Sequence, residues 1–164
     1  LESGDLTGQI EPIDVGPMLD EIAEEYQERA RARNHTVTIE SPPGTIALGV
    51  PRLVREAAVN YLTNAIKYTP EAGSIRVTAS RIDSRVRVAV DDNGIGIPTE
   101  KHDRVFGEYA RFAPKDPRLG KTEGTGLGLS IVKKSIERQG GRVGFESHPG
   151  TGSTFWFELP SPDN

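Results

Sequence analysis

The run Asn60-Tyr-Leu-Thr-Asn64-Ala-Ile-Lys67-Tyr68-Thr69-Pro70 carries two tendencies in one helix. It lies in a segment that reads as helical from about Pro51 to Tyr68, with Pro51 suited to a first turn and Pro70 and Gly73 ending it. Val54, Ala58, Leu62, Ala65 and Ile66 recur at helical spacing and form a core face. Asn60, Asn64, Lys67 and Tyr68 stand at i, i+4, i+7 and i+8, so they line a neighbouring face. Two amides, an ammonium and a phenol on one stripe suit a ligand of phosphate and metal better than they suit a core.

Outward from this helix, the pattern alternates helices with strands that can pair antiparallel. Residues 8–13 read as a short strand and residues 14–32 as an amphipathic helix, with Val15, Met18, Leu19, Ile22 and Tyr26 on one side. Thr36 to Glu40 reads as a strand and Ser41-Pro-Pro-Gly44 as a turn. Beyond the central helix, Ile75, Val77 and Ala79 alternate with polar residues, as do Val86, Val88 and Val90. Residues 97–123 are mostly polar and read as a short helix and a long loop, a length that marks a functional lid or disorder. A third helix is expected from about Gly126 to Gln139, ended by Gly140-Gly141. Strands at about 142–147 and 153–159 close the chain. This order predicts a two-layer α/β sandwich: one mixed sheet with three helices on one face.

Bulk properties narrow the function. The 164 residues make one domain, 35% hydrophobic and 27% charged. A net charge of -4 gives no support for nucleic-acid binding. The absence of cysteine excludes disulfides and thiolate metal sites. No apolar run is long enough to span a membrane. The opening Leu1-Glu-Ser-Gly-Asp-Leu6 reads as part of something larger.

Four further segments carry chemistry. In Asp91-Asp92-Asn93-Gly94-Ile95-Gly96-Ile97, strand parity puts Asp92 on the core side with Val86, Val88 and Val90, and Asp91 on the other. A core-facing carboxylate is costly unless something donates to it, and the exocyclic amine of adenine is a suitable donor. Gly94 and Gly96 allow a tight turn close to a flat ligand, although an ordinary Asp-Asn-Gly turn reads the same way. Gly124-Thr125-Gly126-Leu127-Gly128-Leu-Ser130 opens a helix and offers backbone N–H groups to an anion. Its G-x-G-x-G spacing is not the dinucleotide fingerprint. Gly120-Lys121-Thr122 is no P-loop, because the required earlier glycine falls at Lys115. Between the two clusters, Arg111, Lys115, Arg118 and Lys121 make a basic patch, either a solvated loop or a cover for phosphates. Finally, in Gly150-Thr-Gly152-Ser-Thr-Phe155, Ser153 shares parity with Phe155, Phe157 and Leu159, although a plain hairpin turn fits equally well. His35, His102 and His148 have no metal-ligand spacing and read as surface residues.

In this order and spacing the motifs resemble the catalytic ATP-binding domain of bacterial sensor histidine kinases, within the gyrase, heat-shock chaperone, histidine kinase and mismatch-repair ATPase superfamily. Asn60 to Thr69 is similar to the N box, and Asp92-Asn-Gly94-Ile-Gly96 to the first glycine box. Phe106 with Tyr109-Ala-Arg111-Phe112 is similar to the F box, Gly124 to Leu129 to the second glycine box, and Gly150 to Phe155 to the last. The resemblance implies the Bergerat-type fold with a lid over about 97–123. It further implies that Asp92 binds the adenine amine, with Gly94, Gly96, Ile97 and Ser153 around the base. Asn64 would hold Mg²⁺ with Asn60 supporting it, and Lys67 and Tyr68 would lie near phosphates and ribose. Gly124, Thr125, Gly126, Leu127 and Gly128 would border the triphosphate, and Arg111 would approach the γ-phosphate. The reaction implied is transfer of the γ-phosphoryl group of Mg-ATP to a histidine on a dimerisation and phosphoacceptor domain, upstream of a response regulator, in the cytoplasm. Neither nucleic acid nor membrane is an implied partner of this domain.

Two departures qualify the resemblance. Hydrolases of the superfamily carry Glu where this chain has Asn60, and an amide cannot take a proton from water. Transfer is therefore expected over hydrolysis. No histidine stands in the usual phosphoacceptor setting, so the acceptor helix is expected outside this chain, which alone should bind Mg-ATP without phosphorylating itself. Residues 1–7 are then a remnant following the dimerisation helices, 8–160 the ATP-binding domain and 161–164 a tail. A serine protein kinase like the anti-sigma-factor kinases, an ATP hydrolase and a non-catalytic nucleotide sensor are the alternatives.

Overall fold

In the computed structural model, which describes residues 6–107 and 128–162, a five-stranded sheet carries helices on one face. Its strand order is β2-β4-β5-β7-β6. The strands are β2 (Thr36–Glu40), β4 (Ser74–Ile82), β5 (Arg85–Asp92), β6 (Arg142–His148) and β7 (Gly152–Pro160). β2 runs parallel to β4, and every other pair is antiparallel. The sheet is thus mixed and mostly antiparallel, as expected from the alternating strands. Period-2 alternation explains its two faces. Ile75, Val77, Val86, Val88, Val90, Phe157 and Leu159 are buried beneath the helices. Arg76, Arg87 and Trp156 project from the opposite face, where the Arg87 guanidinium lies over the Trp156 ring.

The helical layer is α1 (Val15–Glu25), α2 (Gln27–Ala32), α3 (Pro51–Tyr68) and α4 (Gly128–Arg138). α3 begins and ends where its proline signals predict. It buries Val54, Ala57, Ala58, Tyr61, Leu62, Ala65 and Ile66, while its polar stripe stays half-buried. The N–H of Val50, which precedes α3, donates to the buried Gln139 Oε1 at 2.7 Å, tying the end of α4 to the start of α3.

Three local expectations change. The helix expected over 14–32 is broken at Tyr26 (φ -103°, ψ 9°), where the chain bends and α2 turns to bury Ala30. The first strand is β1 (Glu11–Asp14), preceded by a 3-10 turn at Thr7–Gln9. It pairs with β3 (Ile46–Gly49) in a separate two-stranded sheet. β3 has four residues, too few for alternation to announce it.

Candidate functional site

The cleft forms where the end of α3, the loop after β5 and the start of β7 meet. Asn64, Ala65, Tyr68, Asp92, Gly96, Ile97, Ser153 and Phe155 line it. Sheet register brings Asp92 directly opposite Ser153. As parity predicts, Asp92 faces inward and Asp91 outward, where Asp91 accepts a hydrogen bond from Thr154 Oγ1. The Asp92 carboxylate accepts the N–H of Gly94 at 2.9 Å. Its pKa is pushed up from 3.8 to about 6, chiefly by burial. Hydrogen bonds from the backbone of Gly94 and Ser153 oppose the rise, and the neighbouring charge of Asp91 adds to it. These backbone donors offset the cost of burial only in part, so a further donor would stabilise the ionised carboxylate.

Glycines weld the loop to its surroundings. A Cβ on Gly94 would stand 2.5 Å from the Tyr68 carbonyl oxygen and 2.8 Å from Asp92 Oδ1, so only glycine lets this loop touch the end of α3. Gly96 has φ +75°, and a Cβ there would meet the His148 carbonyl oxygen at 2.3 Å. The Gly150 N–H donates to the Ile95 carbonyl at 2.7 Å, and the Ile97 N–H to Ser147 Oγ at 2.7 Å. The loop carrying Gly94, Gly96 and Ile97 is thereby clamped between α3 and the β6–β7 turn.

The polar stripe of α3 borders the same cleft. Asn64 and Tyr68 line it. Lys67 Nζ lies 5.8 Å from the centre of the Tyr68 ring. Gly128, the first residue of α4, is beside Asn60: a Cβ on it would stand 3.4 Å from Asn60 Oδ1. The start of the third helix and the stripe therefore meet. Arg111, Gly124, Thr125, Gly126 and Leu127 lie outside the described residues. Phe106 packs edge-on against Phe145 and Phe155, at 6.1 and 6.2 Å between ring centres, and so backs the cleft wall. Tyr61 does the same from α3: its ring lies 5.6 Å from that of Phe155 at a tilt of 47°, and its hydroxyl donates to the Trp156 carbonyl at 3.1 Å.

Two residues escape the sequence reading. Ser147 is buried and holds Ile97 in place, a role no local pattern announces. His35 is buried rather than exposed. Its Nε2 lies 3.0 Å from the Thr69 carbonyl oxygen and 3.1 Å from that of Pro70, so that nitrogen carries a hydrogen. Arg33 donates to the same Thr69 carbonyl at 2.8 Å. Both anchor the C-terminal end of α3 through partners more than thirty positions away, beyond any local signal. His102 contacts the Ile97 carbonyl at 2.9 Å, and His148 is exposed.

The cleft is narrow, about 20 Å³, whereas a cavity of about 270 Å³ opens between α1, α2, β2 and α3. Chemistry rather than volume selects the cleft, since it joins a pKa-shifted carboxylate to convergent amide and hydroxyl groups and the larger cavity does not. Among the described residues no three His, Cys, Asp or Glu side chains converge to cage a metal. A Mg²⁺ ion that takes one amide oxygen and shares the rest of its shell with phosphates and water fits this donor set.

Residues 49–163 match the family described as histidine kinase-, DNA gyrase B-, and HSP90-like ATPase. The chain belongs to this family. Its boxes, read from residues 60–155, all fall in the matched segment. Among curated relatives, the adaptive-response sensory kinase SasA of Synechocystis sp. is 38% identical over 153 residues, 91% of this chain and 38% of that protein. The chain thus spans well under half of that relative. Among solved structures, the catalytic domain of histidine kinase ThkA superposes with a TM-score of 0.80 at 28% identity, covering 93% of this chain and 95% of that one. ThkA in complex with response regulator protein TrrA matches with a TM-score of 0.75 at 25% identity, over 93% and 42% of the two chains. Full-length ShkA in complex with AMPPNP matches with a TM-score of 0.79 at 33% identity, over 92% of this chain and 31% of that one. The fold of the chain is that of histidine kinase catalytic domains. None of its described helices is long and apolar enough to cross a membrane.

Proposed function

We propose that this chain binds Mg-ATP and passes the γ-phosphoryl group to a histidine on a dimerisation and phosphoacceptor domain that the described residues do not include. The observation that carries the reading is Asp92: an inward carboxylate with a raised pKa, facing a cleft that also holds Asn64 and Ser153. The amine of adenine supplies a further donor beside the Gly94 N–H. Ile97, Ala65 and Phe155 give the base apolar walls. Asn64 supplies an oxygen to Mg²⁺, with Asn60 beside it, and the ion when bound neutralises phosphate charge. Lys67 and Tyr68 face ribose and phosphates. By resemblance, the backbone from Gly124 to Gly128 borders the triphosphate and Arg111 approaches the γ-phosphate. Residues 8–160 form the catalytic domain, with 97–123 as its lid, 1–7 following the dimerisation helices and 161–164 a tail.

Phosphoryl transfer rests mainly on positioning and charge neutralisation, which these groups provide. The bond between the γ-phosphorus and the oxygen bridging it to the β-phosphate breaks, a phosphorus–nitrogen bond forms on the acceptor imidazole, and ADP leaves. Asn60 disfavours hydrolysis, because its amide cannot activate water. The complex of ThkA with its response regulator supports a response regulator as the downstream partner, and the reaction then belongs to the cytoplasm. The test is to mix the chain with an acceptor domain and γ-labelled ATP. An acid-labile label on histidine is expected. An acid-stable label would assign the chain to the serine kinases, and steady phosphate release without acceptor to the hydrolases.

A further inference from the structure

We propose that Ser147 is a positioning residue that turns the hydroxyl of Ser153 into a donor for N1 of adenine. This rests on the adenine-nucleotide reading above. Ser147 is buried on β6 and does not line the cleft, whereas Ser153, opposite it in register, does. Ser147 Oγ lies 2.7 Å from Ser153 Oγ, accepts the Ile97 N–H at 2.7 Å, and lies 3.3 Å from the Gly152 carbonyl oxygen.

Hydrogen counting leaves two arrangements. Each serine hydroxyl has one hydrogen and two lone pairs, and the Ile97 N–H already occupies one lone pair of Ser147. In the first arrangement Ser147 donates to Ser153, so the hydrogen of Ser153 is free for the cleft. In the second Ser153 donates to Ser147, whose own hydrogen goes to the Gly152 carbonyl over the longer contact. Ser153 then faces the cleft as an acceptor only. The edge of adenine presents the 6-amine, a donor, next to N1, an acceptor. Asp92 accepts from the amine, and the first arrangement supplies the donor to N1, directly or through one water. Guanine presents O6 and N1–H, which reverses both demands. Ser147 therefore contributes to the choice of base as well as holding Ile97 against β6.

The experiment measures dissociation constants of Mg-ATP and of Mg-1-deaza-ATP, whose N1 is replaced by carbon, for the unmodified chain, Ser147→Ala and Ser147→Thr. Losing one oriented hydrogen bond should weaken ATP binding by about fivefold to tenfold in Ser147→Ala. Binding of 1-deaza-ATP should lose only the smaller part that comes from the loosened Ile97, so the ATP loss should exceed it by at least about threefold, and Ser147→Thr should retain the ATP affinity. In a Ser153→Ala background, Ser147→Ala should cost ATP no more than it costs 1-deaza-ATP in the parent. Equal losses for both nucleotides, or no loss for ATP, would overturn the proposal by leaving Ser147 a structural role at most. If Ser147→Ala does not fold, Ser147→Cys keeps the size with a weaker donor, and a larger loss for ATP than for 1-deaza-ATP is again the expected result. A folded, unmodified chain that binds neither nucleotide would overturn the adenine reading itself, a result independent of Ser147.

Discussion

Replacing Asp92 with Asn should move stability and ligand affinity in opposite directions. The pKa of the Asp92 carboxyl is raised from 3.8 to about 6. The folded state therefore holds a proton that the unfolded state has released across that window. Stability falls as pH rises from the lower value to the upper, because there the native state binds more protons. Above both values the ionised carboxylate costs the native state roughly 3 kcal/mol at full burial, since each tenfold rise in proton affinity is worth about 1.4 kcal/mol. Asp92 is only half-buried, so solvent screening reduces this to about 1–2 kcal/mol. Asp92→Asn should raise the thermal midpoint near neutral pH by about 2–8 °C for a domain of this size. The gain should shrink to nothing below about pH 3, where the carboxyl is protonated in both states. Mg-ATP affinity at neutral pH should fall by about ten- to a hundredfold, since the amide offers a donor beside a donor. Thermal unfolding from acid to neutral pH, paired with calorimetric titration, reads both effects. A pH-independent gap, or a variant less stable than the parent at neutral pH, would refute the reasoning about burial.

Other perturbations reach the remaining parts of the site. Asn64→Ala should abolish the Mg²⁺-dependent part of ATP binding while leaving the thermal midpoint within about 2 °C, because the amide sits at the half-buried cleft rim; titration with and without Mg²⁺ checks it. In Gly94→Ala the new methyl would press on the Tyr68 carbonyl at 2.5 Å. It should destabilise the chain by about 1–3 kcal/mol and weaken nucleotide binding, both measured by ligand-dependent thermal shifts. On the outer sheet face, buried Glu158 accepts from Arg87 at 2.8 Å and Arg142 at 2.7 Å. Burial alone would raise its pKa, but these two partners hold it below the ordinary 4.5. Glu158→Gln should cost about 1–2 kcal/mol above that ordinary value, since both guanidinium groups reach water, and urea unfolding should show the difference vanish as pH falls through the lowered pKa.

The fold could be read where a single face decides burial. Alternation in β4, β5 and β7 and the apolar face of α3 each put one side of an element in the core, so pattern and structure agree. The same parity argument correctly turned Asp92 inward. Reading stopped where burial depends on distant partners. His35 is buried because the carbonyls of Thr69 and Pro70 meet its ring, and Ser147 matters because the N–H of Ile97, 50 positions away in sequence, donates to it. Neither residue belongs to a box, and neither carries a periodic signature. The break at Tyr26 was unreadable for another reason: no proline or glycine marks it, and the Tyr26 N–H still reaches the Ile22 carbonyl at 3.1 Å. β3 is simply too short to show a period.

The central claim is that the narrow cleft, and not the larger cavity under α1 and α2, receives the nucleotide. Amide chemical-shift mapping during a Mg-ATP titration tests it most directly. Saturable shifts should concentrate at Asn64, Tyr68, Asp92 to Ile97 and Ser153, leaving Ala30 and Val37 unmoved. Shifts centred on Ala30, His35 and Val37, or none at saturating nucleotide, would contradict it.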